Sequence, residues 1–206
     1  MMTGKNLKEL PYYERPDLTP YLIHLTKESV KSTGLKNLIS ILKDGVIEGT
    51  NSFIKRASRE SGVKAACFMD VPFAALKYVC SPKNAGRYQA YGVVVRKQDV
   101  YQQMGRPVLH LSGKECEKLN ILPKQLWRVV SLEYDGKANT WIDWQHEREW
   151  RCPNEFDLKK VPCIALVESV KDVKKLQDKI DQEPALFQCV PITIIPLEVI
   201  CQGFGS

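Results

Sequence analysis

Glu147 and Glu149 stand two residues apart in the run His146-Glu147-Arg148-Glu149-Trp150-Arg151-Cys152-Pro153. On a strand, side chains alternate between faces, so both carboxylates would share one face. Two like charges on one strand face repel each other and resist desolvation unless that face lines a cleft. The pair is therefore a candidate site rather than candidate core, of a kind able to steady developing positive charge. A second geometry stays open. Glu147 and Arg151 are also spaced i, i+4, as on an exposed helix with a salt bridge, and Trp150 and Cys152 suit the inner side of either element. His146-Glu147 opens like a zinc-protease HExxH motif, but position 150 is Trp, which excludes it.

The elements that must position this run come from one domain. The chain has 206 residues, 44% of them hydrophobic and 26% charged, which suits a single folded unit with a sizeable core. Its net charge of +6 is compatible with a polyanionic partner and equally with a plain basic surface. Seven cysteines without CxxC spacing argue against a disulfide framework, and with only three histidines a structural zinc site is improbable. Cys67, Cys163 and Cys201 lie in apolar runs and read as small core residues. A reducing cytoplasm is the expected compartment. No apolar run is long enough for a membrane span, and the first ten residues lack a signal-peptide core. Pro11, Pro16 and Pro20 make residues 1–20 an expected extended arm, with the domain over 21–206.

Along the domain, Tyr21 to Thr26 predicts a strand carrying His24 and Thr26 on one face. Leu35, Leu38, Ile39 and Leu42 have helical spacing, and Gly45 stands where a C′ glycine would end that helix. Residues 50 to 65 read as a polar loop or short surface helix. Ala66 to Val71 is an expected strand and Phe73 to Val79 an expected helix, with residues 81 to 90 a polar connection. Strands are expected over 91–96, 107–111, 126–134, 147–152, 163–167 and 192–200. Ser112 and Glu115 form a capping-box pattern before a helix over 113–119, and 169–180 is an amphipathic helix. Helices come early and strands crowd the second half, which gives an α+β fold rather than a βαβ repeat. GxGxxG and GxxxxGK[ST] are both absent, so neither a Rossmann nor a P-loop site is indicated.

Three segments together resemble the ADP-ribosyltransferase superfamily: His24-Leu25-Thr26 with the Asn37 to Ile47 helix and turn, Cys67 to Phe73 followed by Tyr78, and the Glu147 to Arg151 run. Their order is similar to the DNA-targeting toxins of the DarT type. The segments Cys67-Phe68…Val71-Pro72, Gly105-Arg106-Pro107-Val108 and Glu147 to Arg151 look closer still to AbiGi-type abortive-infection proteins. The resemblance runs from about Tyr21 to about Phe156. It implies a single α+β domain, an ADP-ribosyltransferase-like split β-sandwich with flanking helices, that takes NAD as substrate and needs no metal. In this superfamily the nicotinamide–ribose bond breaks through an oxocarbenium-like transition state that a late-strand glutamate stabilises. By the matching segment that residue is Glu149, with Glu147 orienting the acceptor. His24 and Thr26 would bind the adenosine ribose and the nicotinamide amide, and Tyr78 or Phe68 would stack on nicotinamide. Arg56, Arg59 or Arg106 would hold the pyrophosphate.

Each residue also has a plainer reading: His24 as a satisfied core histidine, Tyr78 as core, the basic residues of 55–64 as a solvated loop, Trp141 and Trp144 as packing over the sheet. Three functions follow as expectations. The first is an NAD-dependent ADP-ribosyltransferase toxin of a phage-defence system, with a nucleic-acid acceptor favoured over protein, a possible antitoxin partner and no membrane. The second is an NAD glycohydrolase, and the third an inactive nucleotide- or partner-binding module on the same fold.

Overall fold

The computed structural model describes residues 19–28, 32–50, 62–81, 88–143 and 145–201. Most of the expected arm over 1–20 lies outside them. Strand β1 (Tyr21–Leu25) follows Pro20 and is buried on both faces: Leu22 enters one apolar cluster, Ile23 and Leu25 another. Helix α1 (Gly34–Asp44) starts at Thr33, whose hydroxyl accepts the Lys36 N–H at 3.4 Å. It ends at Gly45, whose left-handed φ of 65° lets its N–H reach the Ile41 carbonyl at 2.8 Å. Leu38 and Leu42 are fully buried, and Leu35 and Ile39 pack against the same cluster, as their spacing predicts.

Strands β2 (Val46–Glu48) and β3 (Ala65–Met69) come next, then a 3-10 turn over Phe73–Ala75 running into helix α2 (Leu76–Val79), then β4 (Gly92–Arg96). Helix α3 (Lys97–Gln102) was not expected from the sequence. It is too short to show an apolar period, and it buries only Asp99 and Val100, with Asp99 held by the Arg96 guanidinium through two 2.8 Å bonds.

The remaining elements are β5 (Arg106–Pro107), β6 (Leu109–Leu111), α4 (Gly113–Lys118), β7 (Val129–Ser131), β8 (Glu133–Asp135), β9 (Thr140–Ile142), β10 (Glu149–Pro153), β11 (Glu155–Asp157), β12 (Ile164–Val167), α5 (Val170–Gln182), β13 (Thr193–Pro196) and α6 (Leu197–Ile200). Ser112 and Glu115 form the expected capping box of α4, and Ser169 caps α5.

Several expected strands are shorter or broken. Leu126 to Tyr134 divides, because Pro123 opens a 3-10 turn that runs to Arg128 before β7 begins. The expected strand over 107–111 splits between β5 and β6, which belong to different sheets. The last strand stops at Pro196, where α6 starts.

The main sheet has seven strands in the order β13-β12-β4-β1-β3-β10-β5, antiparallel except for the parallel β12–β13 pair. Three two-stranded ribbons, β2–β11, β6–β7 and β8–β9, complete the α+β domain. The seams on the two sides of β1 differ. Against β4 it pairs along its whole length, from Tyr21↔Arg96 to Leu25↔Gly92. Against β3 the register is Ile23↔Met69 alone. The sheet thus has two well-laddered halves that part beyond one pair, and the opening between them receives His24, Thr26, Phe68, Glu147 and Glu149. All seven cysteines are free, and among the described residues no helix is long and apolar enough to cross a membrane.

Candidate active site

A cleft of about 480 Å³ opens at the β1–β3 seam, a size suited to a small-molecule ligand. Its walls come from the end of β1 (His24 to Lys27), one stripe of α1 (Asn37, Ser40, Ile41, Asp44), strand β2, strand β3, Tyr88, Glu147 and Glu149. The α1 stripe follows the helical repeat, so the face opposite the buried leucines is the one turned to the cleft.

His24 holds the seam open in a defined way. Its Nδ1 lies 2.8 Å from the Cys67 carbonyl oxygen on β3, so a side chain meets the backbone where a strand N–H would otherwise pair. A carbonyl only accepts, so Nδ1 carries the hydrogen and Nε2 of the neutral ring is an acceptor. Burial lowers the His24 pKa, the Cys67 carbonyl opposes this, and Lys27 adds to the lowering. Thr26 is buried and donates its hydroxyl toward the carbonyls of Gly34 (3.2 Å) and Tyr91 (3.1 Å), which binds the start of α1 to β1.

Glu149 opens β10 opposite Met69, in line with Ile23 across the sheet. It is 6% exposed and lies in a two-pronged ion pair: Arg151 Nε donates to Oε1 at 2.9 Å and Nη2 to Oε2 at 3.0 Å. Glu147 is 7% exposed, and its Oε2 accepts the Tyr88 hydroxyl at 3.1 Å. The two carboxylates line one cleft but not as one strand face. Glu147 ends a 3-10 turn over Gln145–Glu147, and Arg148 adopts a left-handed φ of 45°, so the strand begins only at Glu149. That corrects the shared-face expectation and removes the exposed-helix alternative. The kink brings Glu147 to the cleft from the side of Tyr88.

The chain is similar in structure to DarT of Thermus sp. 2.9. For DarT in complex with NAD+ the TM-score is 0.49 at 17% identity, covering 87% of this chain and 96% of that one. For DarT in complex with ADP-ribosylated ssDNA it is 0.47 at 16%, covering 87% and 95%. No protein-family model matches the chain, and no curated protein matches it.

His24, Thr26, Phe68, Glu147 and Glu149 are thus brought together at the cleft. Phe68 lies at its floor, 1% exposed and edge-on to Phe156 at 5.2 Å, so it offers little ring face to a ligand. Two other expected residues are elsewhere. Tyr78 is 66% exposed on α2, outside the cleft lining, and packs with Lys77 rather than in the core. Arg106 is on β5, across β10 from the seam; its guanidinium stacks 3.7 Å over Tyr101 and donates to the carbonyls of Tyr101 and Gly105. Arg56, Arg59 and Trp144 lie outside the described residues. Trp141 stacks on Tyr134 at the surface, 66% exposed, instead of packing over the sheet. Cys163 and Cys201 are buried as expected, whereas Cys67 lines the cleft, where burial and then Glu149 hold its thiol well above the usual range.

Sequence reasoning missed Tyr88, Lys27 and the polar stripe of α1. Lys27 lies in the cleft wall with its Nζ 5.3 Å over the Tyr88 ring. The stripe was readable in principle, since Asn37, Ser40 and Asp44 share the helical period on the face opposite the leucines. Among the described residues no cluster of three His, Cys, Asp or Glu side chains is placed to hold a metal ion.

Proposed function

We propose that this chain is an NAD-dependent ADP-ribosyltransferase of the DarT or AbiGi type, acting as a cytoplasmic toxin in phage defence, with nucleic acid as acceptor and an antitoxin as partner. One observation carries the reading: a buried carboxylate, Glu149, faces the same cleft as the neutral imidazole of His24. NAD is the substrate. His24 Nε2 accepts from a ribose hydroxyl, the buried Thr26 corner seats the nicotinamide amide, and Lys27 supplies the cation for the pyrophosphate. Glu149 stabilises the ribosyl cation as the C1′–N bond breaks and its electron pair moves onto the nicotinamide nitrogen, neutralising that ring. The acceptor nucleophile then bonds to C1′ and its proton passes toward Glu147. The second carboxylate, oriented by Tyr88, favours transfer to an acceptor over hydrolysis. The sequence resemblance supports the same chemistry, and the net charge of +6 is compatible with a polyanionic acceptor.

The test is incubation with labelled NAD, followed by separation of DNA, RNA and protein. The expected result is label in nucleic acid, with Glu149→Gln reducing incorporation by about 10²- to 10³-fold. Rapid nicotinamide release with no macromolecule present identifies an NAD glycohydrolase instead. Absence of both label and nicotinamide leaves a binding module and ends the enzyme reading.

A further inference from the structure

We infer that Arg151 is a positioning residue for this reaction, fixing the plane of the Glu149 carboxylate. The inference rests on the proposed transferase activity. Glu149 and Arg151 are two apart on β10, so they share a face, and both are buried. The guanidinium grips both carboxylate oxygens at 2.9 and 3.0 Å. Its third nitrogen, Nη1, donates to the main-chain carbonyls of Trp127 at 2.8 Å and Val129 at 3.2 Å. The planar fork is therefore held on its far side by backbone and cannot turn without losing bonds to two separate elements. A carboxylate gripped edge-on by such a fork has one permitted plane. The Cys67 thiol also reaches this carboxylate, and the lone pairs that remain are what it can offer a ribose hydroxyl or a developing cation in the cleft.

The arrangement has no strong stability rationale. A buried ion pair gains little over well-packed apolar residues of the same volume, whereas losing one partner leaves an uncompensated charge. The fork has a chemical rationale, because it presents the carboxylate to the cleft in one orientation. Burial works against the Arg151 charge, but Glu149 and Cys67 together more than offset it and hold the guanidinium protonated. The titratable groups around Glu149 are Arg151 on its own strand, Cys67 on β3, and Glu147, Tyr88, His24 and Lys27 around the cleft.

The experiment compares wild type with Arg151→Lys, Arg151→Met, Glu149→Gln and the double variant Glu149→Gln/Arg151→Met. It reads kcat and KM for NAD cleavage, and melting temperature. Arg151→Lys keeps charge and approximate length but not the fork, so it is the variant that stays interpretable if Arg151→Met fails to fold. The expected result for Arg151→Lys is a kcat lower by about tenfold to a hundredfold, with KM changed by less than about threefold. The double variant recovers melting temperature lost by Arg151→Met but not turnover. Wild-type kcat in Arg151→Lys overturns the inference while leaving the transferase reading intact. No NAD cleavage by wild type overturns that reading and the inference with it.

Discussion

The two seams of strand β1 share that strand and behave differently. On the β4 side every residue from Tyr21 to Leu25 has a register partner, and Val93, Val94 and Val95 are buried behind it. On the β3 side one pair forms, and a histidine ring bridges to Cys67 beyond it. One strand thus serves as a sheet interior on one side and as a cleft wall on the other. The difference lies less in the strand than in what faces it: the closed seam receives valines and a glycine, the open seam a ring, a thiol and a carboxylate.

The largest effect is expected at the open seam. Phe68 is fully buried at the cleft floor and locks against Phe156, so Phe68→Ala leaves a cavity where the two halves of the sheet meet. It should destabilise the fold by about 3–5 kcal/mol, read from the shift of the urea unfolding midpoint. A shift under about 1 kcal/mol would mean that the halves are held together elsewhere. The closed seam is tested by Gly92. A Cβ there would lie 2.1 Å from the His24 carbonyl oxygen, a backbone atom that no rotamer change can move aside. Gly92→Ala should cost about 1–3 kcal/mol by forcing β1 and β4 apart. Because it displaces the backbone of His24, it should also weaken NAD binding, measured by titration calorimetry. Unchanged stability and binding would show that the seam yields without disturbing the cleft.

How much of this was readable beforehand depends on how local each cause is. Helix α1 was legible because its leucine period and Gly45 lie within a dozen residues of each other. Glu149 was legible because an acid in an otherwise strand-like run is costly unless it faces a cleft. The kink at Arg148 was not, since a left-handed arginine leaves no mark in residue type, and Glu147 was therefore given the right cleft through the wrong geometry. Tyr88 was illegible for another reason. It lies at the edge of a polar connection, and its role exists only because the fold carries it to a carboxylate 59 positions away. The asymmetry of the β1 seams was equally hidden, because strand pairing and register leave no mark in the residues of β1 and β3 taken separately.

The smallest effect isolates the His24 side chain, which bridges the open seam to Cys67. His24 has a folded-state pKa below its ordinary value of 6.5, with burial as the main cause. As pH falls past that ordinary value, the unfolded chain takes up a proton at His24 that the folded chain refuses. The unfolded state then binds more protons, so stability declines with falling pH until the folded-state pKa is also passed, and it is insensitive to this group above that window. His24→Asn places an amide N–H where it can meet the Cys67 carbonyl but has no proton to gain. Comparing urea midpoints at about pH 7.5 and about pH 5.5 should show wild type losing more stability than His24→Asn. The two proteins should be closer at the higher pH, where the seam bond is common to both. Equal losses would mean that the imidazole reaches solvent freely when charged, and the seam would then open around it without the ring being its wedge.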